Sequence, residues 1–248
     1  MELMNCLRAD AHKIKGLSLV PAHILIPIFA VAIYLAYSFG RGWSEHGQLE
    51  AFYELIGMGF PLLIGIFSAV IAEQEASAGR GQNLLTLRNR MAAFFSKLVL
   101  LLILALLALL GTSLLFAAGC AKLLGNTAFG VEIYVIMAFV MWGSSIPLYV
   151  WHLYLAFVAG KGVTMGIGIV EAMASALFLT DIGKFVWPYA PFSWTARIPK
   201  TYLSYRFGQA ESMTLPGNLL FLYGIVTAGS LVCYLFWAAR WEGNRAAE

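Results

Sequence analysis

The chain has 248 residues, 60% of them hydrophobic and only 12% charged, about half the charged share of an ordinary soluble domain, and its mean hydropathy is +0.78. No soluble fold hides that much apolar surface, whereas a bilayer core about 30 Å thick takes roughly 20 apolar residues per crossing helix and leaves room for about six crossings with short connections. The excess of 16 Lys and Arg over 13 Asp and Glu is too small to argue for a nucleic-acid partner.

The expected architecture is all-α, one polytopic transmembrane domain over residues 1–248. Residues 1–16 place Leu3, Met4, Leu7, Ala11 and Ile14 at helical spacing, with Arg8, Asp10, His12, Lys13 and Lys15 elsewhere on the wheel. That is the pattern of an interfacial helix, with a frayed tail as the plainer alternative. The apolar run that follows is longer than the h-region of a secretory signal, so the first span, residues 17–39, is expected to stay in the mature protein.

A polar break at 40–50, with Arg41, Glu45 and Glu50, leads into a second span at 52–72. The most polar stretch, 73–97, carries Glu73, Glu75, Arg80, Arg88, Arg90 and Lys97, and its helix formers around 84–95 predict a short helix of its own. The third span, 98–121, is Leu-rich and apolar all round in its first half, as expected of a helix facing lipid. The fourth (133–159) and fifth (163–180) spans are separated only by Gly160-Lys161-Gly162, and the sixth covers 216–239. Between the last two lies 181–215, with eight aromatic residues and three prolines but no apolar run long enough to span. This predicts an extracellular segment in or near the headgroup layer.

Lys and Arg in the connections set orientation. With the amino terminus inside, ten basic residues (8, 13, 15, 80, 88, 90, 97, 161, 240 and 245) face the cytoplasm against six (41, 122, 184, 197, 200 and 206) outside, so both termini are expected in the cytoplasm. Cys6, Cys120 and Cys233 are scattered and predict no disulfide or metal framework. The chain has no GxxxxGK[ST], HExxH, GxSxG or CxxC, so it carries no nucleotide cradle and none of the usual zinc, serine or redox signatures; no catalytic residue, cofactor or metal site is expected.

Five features can carry function. His152 and Glu171 are the ionisable side chains deepest in the spans, where such groups suggest function by default; an ion-coupled transporter or an intramembrane enzyme would be built around them, and a structural role is the alternative. The fifth span has Gly162 and Gly166 as GxxxG, with Gly168, Ala172 and Ala176 continuing at intervals of four, which predicts a tight helix contact, within the subunit or with a partner. In the outer segment Trp187 and Trp194, with Phe185, Tyr189, Phe192, Tyr202, Tyr205 and Phe207, are either interfacial anchors or a surface for an amphipathic substrate. Glu45, Glu50, Glu54 and Glu132 on the same side are either solvated charges or an attractor for a cationic peptide. Finally, EQEASAGRGQNLL followed by TLRNR and FFSKL makes a polar knob between two membrane helices, suited to receiving a push from a soluble partner.

At this knob the chain resembles the type 2 ABC export permeases, in particular the permease subunits of lantibiotic immunity transporters of the MutE/EpiE kind. The resemblance rests on Glu73-Gln74-Glu75, Gly79, Gln82-Asn83-Leu84-Leu85 and Ser96-Lys97-Leu98, with the charged run from Arg8 to Lys15 in support. Gly81, where an aromatic is expected, and Thr86-Leu87-Arg88-Asn89-Arg90 depart from the pattern. The resemblance implies a multi-pass protein of the bacterial cytoplasmic membrane that is not itself an enzyme. It implies two copies of a cytoplasmic ABC ATPase, which hold the ATP and Mg, a second permease subunit of different sequence, and export of antimicrobial peptides from the membrane to give immunity or resistance. Another drug, lipid or polysaccharide is the alternative cargo. Coupling to the ATPase would fall to Glu73, Glu75, Gln82, Asn83, Leu84, Leu85, Arg88 and Arg90, and substrate handling to Glu45, Glu50, Trp187, Trp194 and Glu171.

Overall fold

The computed structural model describes residues 2–79, 81–208 and 218–243. They form α1 (Glu2–Lys13), a 3₁₀ turn (Ile14–Gly16), α2 (Leu19–Ser38), α3 (Glu45–Ser77), α4 (Gln82–Leu85), α5 (Arg90–Leu123), α6 (Val131–Val158), α7 (Gly160–Phe178), two further 3₁₀ turns (Asp181–Gly183 and Trp187–Tyr189), α8 (Pro191–Arg206) and α9 (Leu219–Arg240), with no strand among the described residues. Six of these helices, α2, α3, α5, α6, α7 and α9, are long and apolar enough to cross a membrane, matching the six spans expected. Arg80, Arg245, residues 209–215 of the outer segment and the expected start of the sixth span at Pro216 lie outside the described residues.

The helix ends show why two spans are longer than hydropathy suggests. α3 and α5 have 33 and 34 residues, about 50 Å at 1.5 Å per residue, so both overrun the bilayer core. α3 starts at Glu45 because the Ser44 hydroxyl accepts from the Gly47 amide at 3.1 Å, and Glu45 sits at the positive end of the helix dipole. α5 starts at Arg90 because the Asn89 side chain accepts from the Ala92 amide at 3.0 Å. The short helix expected over 84–95 is therefore corrected: only Gln82–Leu85 is a separate helical turn, and 90–97 opens α5.

α7 lies along α3, and the glycines that permit it are Gly65 and Gly168. A Cβ on Gly65 would stand 3.0 Å from the Thr164 carbonyl oxygen, and one on Gly168 3.0 Å from that of Pro61. Gly162 and Gly166 have open space within the chain instead, so the contact of α7 inside the bundle is made by the face carrying Thr164, Gly168 and Ser175 and not by the GxxxG pair.

The outer segment carries a helix of its own. Its second half is a 16-residue helix, α8, packed against α3, α6 and α7, with Trp194 completely buried and Trp187 nearly so. α8 fits because Gly57 gives it room: a Cβ there would fall 2.3 Å from the Thr195 carbonyl oxygen. Two prolines explain the hydrogen bonds at this level. Pro61 has no N–H for the carbonyl four residues back, Gly57, and the Thr195 hydroxyl donates to that carbonyl at 2.9 Å. Pro147 likewise frees the Gly143 carbonyl, which receives the Tyr223 hydroxyl from α9 at 2.6 Å. In lipid such freed carbonyls need a donor from a neighbouring helix.

Candidate functional site

One end of the bundle gathers the amino-terminal helix α1, the end of α3, the knob 78–89, the start of α5, the α6–α7 turn and the residues after α9. The opposite end holds the α2–α3 and α5–α6 connections and α8. The two ends are built differently.

At the knob end the charges turn inward. Lys97 donates to Asp10 Oδ1 at 2.9 Å and to Glu75 Oε1 at 2.7 Å, Lys13 donates to the same Glu75 oxygen at 2.7 Å, and the Ser96 hydroxyl donates to Asp10 Oδ2. Glu75 and Lys97 are each 2% exposed. Two carboxylates and two ammonium groups balance in charge, which is how a low-dielectric site tolerates them. This network joins α1, α3 and α5, three elements far apart in sequence. Asp10, placed among the outward charges by its position on the wheel, faces inward beside Cys6, Leu7 and Ala11, while Leu3 and Met4 are exposed.

The knob stands on this base. Gly81, at φ +79°, begins α4, Leu84 is buried and Leu85 half-buried, and Gln82, Asn83, Leu87 and Arg88 are exposed. The Asn83 side chain donates to the Ala78 carbonyl at 3.0 Å, closing the turn. Arg90 donates to the Trp241 carbonyl at 2.8 Å, and Glu73 pairs with Lys161 of α7 at 2.8 Å on the surface. Of the eight residues expected to meet a soluble partner, Glu75 and Leu84 thus point into the bundle, Leu85, Arg90 and Glu73 serve internal contacts at least in part, and Gln82, Asn83 and Arg88 present themselves outward.

In the middle, His152 of α6 and Glu171 of α7 meet at 2.6 Å between Nε2 and Oε2. His152 is wholly buried, and its Nδ1 has no partner among the described residues. The pair ties α6 to α7.

At the opposite end Glu45 accepts from the Ala128 amide at 2.8 Å. Glu50 pairs with Lys200 at 3.4 Å and His46 at 3.6 Å, while Lys200 also binds Glu54. Arg197 donates to the carbonyls of Phe178 at 2.6 Å and Thr180 at 2.8 Å, satisfying groups that the end of α7 leaves open; burial lowers its pKa, with Glu54 and Asp181 opposing that shift. The Trp194 indole donates to the Pro188 carbonyl at 3.1 Å. The aromatics left exposed here are Phe185 (82%), Tyr189 and Tyr205, not the two tryptophans. Asp10, Ser96 and Trp241 were not legible as site residues, because nothing in their spacing signals a partner so distant in the chain.

Residues 6–184, well over half of the chain, match the family model described as ABC-2 family transporter protein. No curated protein and no solved structure matches the chain.

Proposed function

Because the chain belongs to the ABC-2 family of transporter proteins, a membrane transport subunit that associates with an ABC ATPase, we propose that it is the permease subunit of an exporter whose cargo is an antimicrobial peptide of the lantibiotic class. The observation that carries the mechanical half of this reading is the knob 78–89. It projects where both described chain ends gather, stands on a buried, charge-balanced base, and offers Gln82, Asn83, Leu87 and Arg88 to a partner. In this reading the knob end faces the cytoplasm of a bacterium. Two ATPase copies hold ATP and Mg, a second permease subunit of different sequence completes the pathway, and closure of the ATPase dimer pulls the knob and with it α3 and α5.

The cargo assignment is supported by the sequence likeness at Glu73-Gln74-Glu75 and Gln82-Asn83-Leu84-Leu85. At the opposite end the surface open to an amphipathic peptide is formed by Phe185, Tyr189 and Tyr205, while Trp187 and Trp194 are buried in a cluster with Leu219. His152–Glu171 acts as a tether between α6 and α7.

Arg88→Glu in the complete complex tests the coupling surface: stimulated ATP hydrolysis falls at least about tenfold while the permease still inserts and folds, and unchanged stimulation refutes it. Cargo is tested by survival on nisin-class lantibiotics of cells expressing the complex. Survival unaffected by the transporter removes the peptide assignment and leaves the transporter intact.

A further inference from the structure

The knob contains a single helical turn of four residues, α4. One turn cannot hold its own shape, since the first hydrogen bonds do not repay the cost of nucleation. Its pose has to come from what packs on it, and part of that support is the short segment after the last membrane helix. The Trp241 ring lies directly on Gly81, where a Cβ would fall 2.5 Å from the indole Cη2. The Trp241 carbonyl accepts from Arg90 at 2.8 Å. Gly243, at φ +96°, lies against Leu85, with 3.5 Å between a Cβ placed there and Leu85 Cδ1. The same indole is buried and meets the rings of Phe94 and Phe157 edge-on at 5.3 and 6.1 Å, so it is wedged between α5, α6 and the knob.

We propose that residues 241–243 are a strap that sets the pose of the coupling knob and links it mechanically to α9, with Trp241 as the positioning residue. This role rests on the knob being the surface the ATPase reads; the strap itself rests only on the contacts above. Gly81 is then required twice, by its left-handed φ of +79° and by the indole that lies on it, and a larger residue there would push the indole and the knob backbone apart. α9 also packs on the start of α5, where the Tyr234 hydroxyl donates to the Phe94 carbonyl at 3.2 Å, and the strap adds a direct contact from the last span to the knob itself.

The test uses the full chain in lipid nanodiscs, with and without its ATPase, and compares wild type with Trp241→Ala, Trp241→Phe and Gly81→Ala. Hydrogen exchange of the amides from Gly81 to Leu87 is expected to rise about tenfold or more in Trp241→Ala and to stay near wild type in Trp241→Phe, while α5 beyond Leu98 is unchanged; Gly81→Ala, which also strains the left-handed backbone at φ +79°, should rise at least as far as Trp241→Ala. If Trp241→Ala fails to insert, Arg90→Gln removes only the bond to the strap carbonyl and takes its place. Unchanged exchange at the knob in these variants overturns the strap. Faster exchange with stimulated ATP hydrolysis lowered about tenfold supports the whole proposal. Faster exchange with undiminished stimulation keeps the strap and overturns the coupling reading of the knob.

Discussion

Replacing Lys97 with Met should release α1 from the bundle. Lys97 holds Asp10 at 2.9 Å and Glu75 at 2.7 Å, and without it two buried carboxylates share Lys13 alone. That ammonium lies 3.9 Å from Asp10 and its side chain is 38% exposed, so its attraction is screened and worth less than about 1 kcal/mol. Breaking a buried pair by deleting one partner costs about 3–5 kcal/mol, because an uncompensated charge stays behind. At about 1.4 kcal/mol per tenfold, detachment of α1 becomes at least about a hundredfold more frequent. Cys6 reports it directly. It is half-buried on α1, and burial, with Asp10 adding to it, pushes its thiol pKa up. The thiolate that reacts with maleimide is therefore scarce at neutral pH, and detachment restores both access and ordinary acidity. In a background with Cys120→Ala and Cys233→Ala, Lys97→Met should label at Cys6 at least about fivefold faster than Lys97 protein, less than the change in detachment because the half-buried thiol also reacts in place, and Lys97→Met with Asp10→Ala should return most of the way. Labelling of Lys97→Met within about twofold of the parent would refute the network as the anchor of α1.

Four other sets of substitutions probe the rest of the bundle. Gly57→Ala and Gly168→Ala should destabilise by about 1–3 kcal/mol through overpacking, whereas Gly162→Ala and Gly166→Ala should not destabilise; thermal melting in detergent separates the two pairs, and equal effects would sink the helix contact described for α7. Tyr223→Phe leaves the carbonyl freed by Pro147 without its donor and should cost about 1–3 kcal/mol, read as a lower melting temperature with the oligomeric state unchanged. Trp194→Ala should cost about 3–5 kcal/mol and lower the amount of folded protein, while Phe185→Ala leaves the fold intact; a Trp194→Ala protein as stable as wild type would contradict its burial. His152→Leu strands Glu171 and should lower the melting temperature, and adding Glu171→Leu should recover most of the loss; an unrecovered double variant would count against the pair as a simple tether.

The spans, the polar knob and the family likeness were all legible in the order of residues. Hydropathy over 20 residues is a local property that the bilayer reads directly, whereas the Asn89 cap, although it acts within three residues of itself, was not recognised, and the helix expected over 84–95 runs through it. The contact partners were not legible. In water an apolar stripe announces which side of a helix is inward, but in lipid a leucine is equally at ease against a neighbour or an acyl chain, so composition did not say which face of α7 or of α8 turns in. Those rotations decide that Gly168 rather than Gly162 meets α3, that Trp187 and Trp194 are covered while Phe185 is not, and that Glu75 looks inward beside Asp10 and Lys97. Such pairings join residues 22 to 151 positions apart, and only the packed bundle, by bringing small residues, freed carbonyls and opposite charges into register at once, determines them.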